Sequence, residues 1–218
     1  MNKIAAQFFY IALLSICICS FSSGQARIIG GLSIPVGPFA GHDSATGGFA
    51  KTGFSIGVEY VTKFFFNTEI GISGLICWQP YDIAAAVRSQ PNLPSGMSVS
   101  SDPWVLLWPM LNFGYSYDLT QMVTVYSRVH VGGFYGFYPE NTAIDKRSAR
   151  YTQNTAIDVA FGYGGGLGAV INKKFDVGVR LLSARTYYDV NVQASGLSTN
   201  EKQLRSTTVV EVTVGYVF

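Results

Sequence analysis

This chain is apolar without having apolar runs, and that feature limits its possible folds more than any other. Hydrophobic residues make up 48% of it and charged residues only 13%, where a soluble domain carries about 25% charge. Yet beyond residue 26 no uncharged apolar stretch approaches the ~18 residues of a membrane-spanning helix. The hydrophobicity instead falls on every second residue, the period of a β-strand. That excludes a helical-bundle membrane protein, and it excludes a disordered chain. Lys and Arg number 15 against 13 Asp and Glu, a balance too even to recruit nucleic acid.

The alternation divides into eight segments: Arg27–Pro35, Thr52–Lys63, Thr68–Tyr81, Trp104–Tyr117, Met122–Phe137, Thr155–Ile171, Phe175–Tyr188 and Ser206–Phe218. Tight turns (Thr62–Asn67, Tyr117–Gln121, Asn172–Lys174) alternate with long polar connections (Val36–Lys51, Asp82–Pro103, Pro139–Asn154, Asp189–Arg205). An up-and-down meander of eight strands has this rhythm. A sheet of that size avoids two bare edges by closing.

One face of the segments carries Phe54, Ile56, Val58, Ile70, Ile72, Val129, Val131, Phe161, Val177, Val179, Val212, Val214 and their neighbours, with no charge among them. The opposite face carries Glu59, Glu69, Tyr126, Arg128, His130, Asp176, Arg180 and Glu211, interleaved with glycines such as Gly164, Gly166, Gly168 and Gly178. A water-exposed face would hold more charge and far less glycine. The pattern is that of a transmembrane barrel, apolar outside and polar within. Aromatics gather at both ends, including Phe64–Phe66, Tyr115, Tyr117 and Phe218 near the turns, and Trp78, Trp104, Phe137 and Tyr138 near the long loops. Pro109 cannot donate to a ladder, so a bulge or a late strand start is expected in the fourth segment.

Residues 1–26 read as a cleaved secretory signal, with Lys3, the apolar stretch Ile4–Cys19 and small residues at Ser22, Gly24 and Ala26. Cleavage after Ala26 is expected, and cleavage after Gly24 is nearly as good. The mature chain, 27–218, then forms one domain and keeps Cys77 as its only cysteine. No disulfide is possible within it, and no cysteine or histidine cluster offers a zinc-type site.

The opening GGLSIPVGPFA at Gly30–Ala40, the eight-segment meander and the closing VEVTVGYVF ending in Phe218 resemble the small outer-membrane β-barrels of the outer-membrane protein A and X type. The barrel-only "outer membrane protein β-barrel domain" proteins are the nearer likeness. The resemblance covers Arg27–Phe218. It implies an eight-stranded closed antiparallel barrel in the outer membrane of a Gram-negative type envelope, with short periplasmic turns and four long extracellular loops. It also implies outer-membrane lipid and lipopolysaccharide as surroundings, and recognition of the C-terminal strand by the barrel assembly machinery. The peptidoglycan tether of the full outer-membrane protein A plan is not carried over.

Candidate chemistry is sparse, and no catalytic, cofactor or metal residues are assigned. GYGGGLG at Gly162–Gly168 nearly matches a dinucleotide fingerprint, but its glycines recur within a strand and no helix follows. His130 is the only histidine in a strand, and Ser127 points to the other face, so a luminal histidine bonded to its neighbours is expected. Glu59 and Glu69 flank the turn at Phe64–Phe65 and point inward, where luminal arginines would meet them. The lumen is therefore expected to be a plug in which Glu59, Glu69 and Glu211 pair with Arg128 and Arg180, with Arg180 beside Glu211. The connection Pro139–Asn154 has a basic tip at Lys146, Arg147 and Arg150, suited to anionic headgroups or an external partner, or simply solvated. Two functions follow: a non-catalytic barrel whose loops meet the outside or support the envelope, or a narrow path for small solutes.

Overall fold

The computed structural model describes residues 24–43, 47–63, 65–89, 98–144, 150–155, 157–194 and 197–218. The strands are β1 (Gln25–Pro35), β2 (Gly53–Lys63), β3 (Thr68–Gln79), β4 (Ser98–Ser101), β5 (Trp104–Asp118), β6 (Val123–Phe137), β7 (Asn141–Ile144), β8 (Arg150–Thr155), β9 (Ile157–Ile171), β10 (Phe175–Ala194) and β11 (Leu197–Val217). One short helix, α1 (Ile83–Arg88), starts at Asp82, whose carboxylate accepts from the Ala85 amide at 3.0 Å.

Strands β1, β2, β3, β5, β6, β9, β10 and β11 pair in that order, all antiparallel, and β11 returns to β1. The sheet is closed. The seam runs in register from Arg27 opposite Val217 to Pro35 opposite Val209, and the Phe218 amide donates to the Ala26 carbonyl at 2.9 Å. No helix of the described residues is long and apolar enough to cross a membrane; the strands, at 15 residues in β5, β6 and β9, exceed the ~9–11 that a tilted crossing needs.

The two faces separate as the alternation requires. Phe54, Val129, Phe161, Leu167, Val179 and Val214 lie exposed around the outside, whereas Glu59, Glu69, Arg128, Asp176 and Glu211 are buried inside. A continuous apolar belt of this kind has only one solvent that suits it, lipid. The tight turns use left-handed backbone at Phe66 (φ 53°) and Asn67 (φ 62°), and at Asn172 (φ 53°) and Lys173 (φ 58°); asparagine tolerates this conformation best.

Four expectations change. Pro109 makes no bulge: the β5–β6 register is the same before it (Leu107 opposite Tyr135) and after it (Met110 opposite Gly132). The pairing is only interrupted at Trp108 and Pro109, and the faces do not shift. Trp104 and Tyr138 leave the outer belt, since both are buried inside the barrel with their rings 4.7 Å apart. The connection expected at Asp189–Arg205 is mostly strand, because β10 and β11 continue as a paired hairpin to Ala194 and Leu197. Two further loops also contain strands, and β8, β7 and β4 extend the sheet from β10. Residues 1–23 and the side chains of Lys146, Arg147 and Arg150 lie outside the described residues.

Val214 is 63% exposed in the belt, flanked across the ladder by Gly30 and Val177. Val214→Arg is expected to destabilise the folded barrel by about 2 kcal/mol, because it places a cation on the lipid face. Denaturant unfolding in lipid vesicles checks this, with Thr213→Ser, on the inward face, as the near-neutral control.

Candidate functional site

Among the described residues, the charged groups that the membrane-crossing strands bury face the lumen. Inward positions of β1, β2, β3, β6 and β10 near the turn end carry Arg27, Glu59, Glu69, Tyr126, Arg128 and Asp176, all buried. Glycine makes room for them. A Cβ on Gly168 would stand 2.3 Å from the Tyr126 hydroxyl, and one on Gly114 would stand 2.6 Å from Cγ of Arg128. The recurring luminal glycines are thus the space into which the long side chains of neighbouring strands fold.

Arg128 is the hub. Its Nη1 donates to Glu59 Oε2 at 2.8 Å and its Nε to Glu69 Oε2 at 2.8 Å. The guanidinium lies 3.7 Å from the centre of the Tyr126 ring, an attractive arrangement in a dry site. Tyr126 in turn donates its hydroxyl to Asp176 Oδ1 at 2.8 Å. The other oxygen of Asp176 accepts from Arg27, which also approaches Glu59 Oε2 at 3.7 Å. Two arginines, three carboxylates and a tyrosine thus form one circuit across the barrel.

The circuit continues upward through neutral groups. Asn112 donates to Glu59 Oε1 at 3.1 Å and accepts at its own oxygen from Ser73 (3.1 Å) and from Nδ1 of His130 (2.8 Å). His130 is therefore a luminal histidine bonded to a neighbour, while Ser127 stays exposed on the outer face. Above this level an apolar layer packs beside buried polar groups such as Gln79, which donates to Ser33 at 2.8 Å. Leu75, Trp108, Leu106, Phe134, Leu182 and Val209 are fully buried together, with the Trp108 and Phe134 rings 4.5 Å apart. At the mouth, the β1–β2 connection folds inward. Phe39 meets Trp104 edge-on at 5.1 Å, and the Trp104 indole donates to the Gly48 carbonyl at 2.9 Å. Arg205 donates to the Gly47 carbonyl beside it. Outside the barrel, the amide of Ala85, then Lys51 at 3.4 Å and His42, hold the Asp82 carboxyl below its ordinary range.

The arrangement departs from the sequence reading in its partners. Glu59 and Glu69 do meet a luminal arginine. Arg180 and Glu211 do stand opposite each other in register, but no ion pair or hydrogen bond joins them. Glu211 instead accepts from the Cys77 thiol at 3.4 Å. Arg180 turns toward a cavity of about 10 Å³ that it lines with His130, Tyr126, Gly166 and Gly178. Alternation assigns a side chain to a face and leaves its rotamer open. Sequence reasoning does not find the pairing of Arg27 with Asp176. The spacing Arg27, Ile29, Gly31, Ser33 does place Arg27 on the inward face of the first segment, but alternation does not say which luminal carboxylate its side chain reaches, here one two strands away around the ring.

These features define a closed transmembrane barrel with a filled interior. No protein-family model matches the chain, and no curated protein matches it in sequence. Solved structures are similar in fold. A major outer membrane protein from Thermus thermophilus superposes with a TM-score of 0.53 at 10% identity, covering 90% of this chain and 100% of that one. OprG from Pseudomonas aeruginosa gives 0.48 at 13% identity over 89% and 96%, and Ail of Yersinia pestis gives 0.46 at 11% over 90% and 100%. The fold is that of the small eight-stranded outer-membrane β-barrels.

Arg128 holds two buried carboxylates, whereas Arg180 holds none among the described residues. Arg128→Ala is therefore expected to cost about 3–5 kcal/mol and Arg180→Ala clearly less. Parallel unfolding titrations of the two variants in detergent micelles or vesicles read the order directly; a reversed order contradicts the hub.

Proposed function

We propose that this protein is an integral outer-membrane barrel without a catalytic centre, a closed scaffold that presents its long connections outside the cell. The observation that carries the reading is the packing of described side chains across the lumen at three levels. The Arg128 circuit occupies the turn-end half, the Trp108 and Phe134 layer the loop-end half, and Phe39 with Trp104 the mouth. An eight-stranded barrel has an interior that side chains can fill, and here both polar and apolar layers contribute to the filling.

In this reading the short turns face the periplasm and the long connections face outward. The leader before the barrel directs export, the belt sits in outer-membrane lipid with lipopolysaccharide around the outer rim, and the closing strand ending in Phe218 is what the assembly machinery recognises. The basic tip near Lys146 and Arg147 is then a contact for anionic headgroups or for a surface partner. His130 is tied to Asn112, and Ser127 lies on the other face, so the pair forms no hydrolytic arrangement.

One observation favours the runner-up, a narrow path for small solutes: the cavity beside Arg180 and the glycines Gly166 and Gly178. Its volume is the space of about one water, which is a pocket in the wall of the plug and too small for a conduit.

Planar-bilayer recording on the folded, purified barrel separates the two. No stable conductance steps are expected above the bare bilayer. Reproducible, size-selective steps would replace the scaffold with a channel, and release of fatty acid from phospholipid or lipid A would replace it with an enzyme.

A further inference from the structure

The start of β1 bears on where the chain is processed. Gln25 and Ala26 are strand residues, opposite Val61 and Tyr60 of β2. The Ala26 carbonyl accepts the last seam bond, from the amide of Phe218 at 2.9 Å. The side-chain oxygen of Gln25 stands 3.4 Å from Nη2 of Arg27, the arginine that binds Asp176. Cleavage after Ala26 would remove the acceptor of the seam bond and the group facing Arg27. It would also place a new ammonium on Arg27 itself. Cleavage after Gly24 removes none of this, and Ser22 and Gly24 supply the small residues that a signal peptidase reads.

We infer that the mature chain begins at Gln25 and that this residue is modified, its side chain closing onto its own amino group to form pyroglutamate. The inference rests on the reading of the protein as an exported barrel. In the step, the α-amino nitrogen attacks the side-chain carbonyl carbon. A new carbon–nitrogen bond closes the five-membered lactam, the side-chain carbon–nitrogen bond breaks, and ammonia leaves. The reaction is intramolecular and needs no oxidant, reductant or second substrate.

The site suits the product. The lactam keeps the side-chain carbonyl as an acceptor, now tied to the start of the strand, and loses the amide nitrogen, which makes no hydrogen bond among the described residues. It also removes the main-chain ammonium that would otherwise stand at the start of the strand, two residues before Arg27. Two cations held close together repel each other. Cyclisation therefore preserves the acceptor and deletes the repulsion at the strand that closes the barrel. A blocked end at the seam also withdraws β1 from aminopeptidases.

The test is intact-mass and N-terminal peptide measurement on the full chain, expressed with its leader and recovered from the outer-membrane fraction. The expected product starts at residue 25, is lighter than the uncyclised chain by one ammonia, and resists Edman degradation until treated with pyroglutamyl aminopeptidase. The Gln25→Ala variant should show the same cleavage point, no loss of ammonia and an open amino terminus. A membrane-inserted product starting at Arg27, one starting at Gln25 at full mass, or one retaining the leader would each overturn the inference while leaving the barrel reading intact. Failure to find the chain in the membrane fraction would instead count against the barrel reading.

Discussion

Closure of the sheet between β11 and β1 is the constraint from which the rest of the structure follows. In lipid, an unpaired strand edge leaves backbone groups with no hydrogen-bond partner at several kcal/mol each, so the eight crossing strands must form a ring. The ring fixes an interior that is narrow and cut off from bulk water. Every residue on the inward face must then fit that interior and satisfy its polar atoms there. The apolar belt is the outward half of the same condition. Neither face could be chosen independently, because successive side chains alternate between them.

The charged half of the lumen shows how the condition is met. Burying a carboxylate without a cation costs several kcal/mol even after relaxation. The barrel answers by threading Arg128 between Glu59 and Glu69 and linking Arg27 to Asp176, with Tyr126 lying against one guanidinium and donating to Asp176. Glycines at Gly114 and Gly168 are the counterpart in volume. A larger residue at either would collide with Arg128 or Tyr126, so the small residues and the long ones form a single packing solution around the ring.

The ring and its two faces are legible in the sequence because both depend only on a period of two. Heights and rotamers are not. Register alone matches Arg180 with Glu211, yet the guanidinium turns to a cavity by His130 and the carboxylate to Cys77. Trp104 reads as a belt aromatic, since an aromatic near a loop fits either the interface or the interior. Its indole binds the Gly48 carbonyl inside, and only the three-dimensional path of the β1–β2 connection supplies that acceptor. The outer half of β11 reads as a loop because Ser198–Gln203 is polar throughout. In β10, Val190 and Val192 alternate with Asp189, Asn191 and Gln193, a short strand signal that the loop reading passes over. A paired hairpin beyond the belt needs ladder bonds and no apolar face, so hydropathy carries little signal for its second strand. Pro109 misleads in the opposite direction: a missing donor interrupts two positions of the ladder, and the antiparallel register on either side is rigid enough to carry across.

The lumen changes character along its axis, with its ion-pair circuit near the turns and its aromatic cluster, beside Arg205, near the loops, and the order is physically consistent. Ion pairs need geometry held on several sides, and the turn-end half is where tight turns connect β2 to β3, β5 to β6 and β9 to β10, fixing neighbouring strands closely. The loop-end half is bounded by longer connections whose positions are set by packing. Apolar and aromatic contacts tolerate small displacements, since dispersion and burial have weak directional demands. Phe39, Trp104 and Tyr138 therefore seat an inward-folding connection on the mouth by ring packing, and the Trp104 indole and Arg205 each add a hydrogen bond to one of its carbonyls. A barrel with the layers exchanged would place its most geometry-dependent interactions under its least constrained segments. The observed order puts each kind of interaction where the chain can hold it.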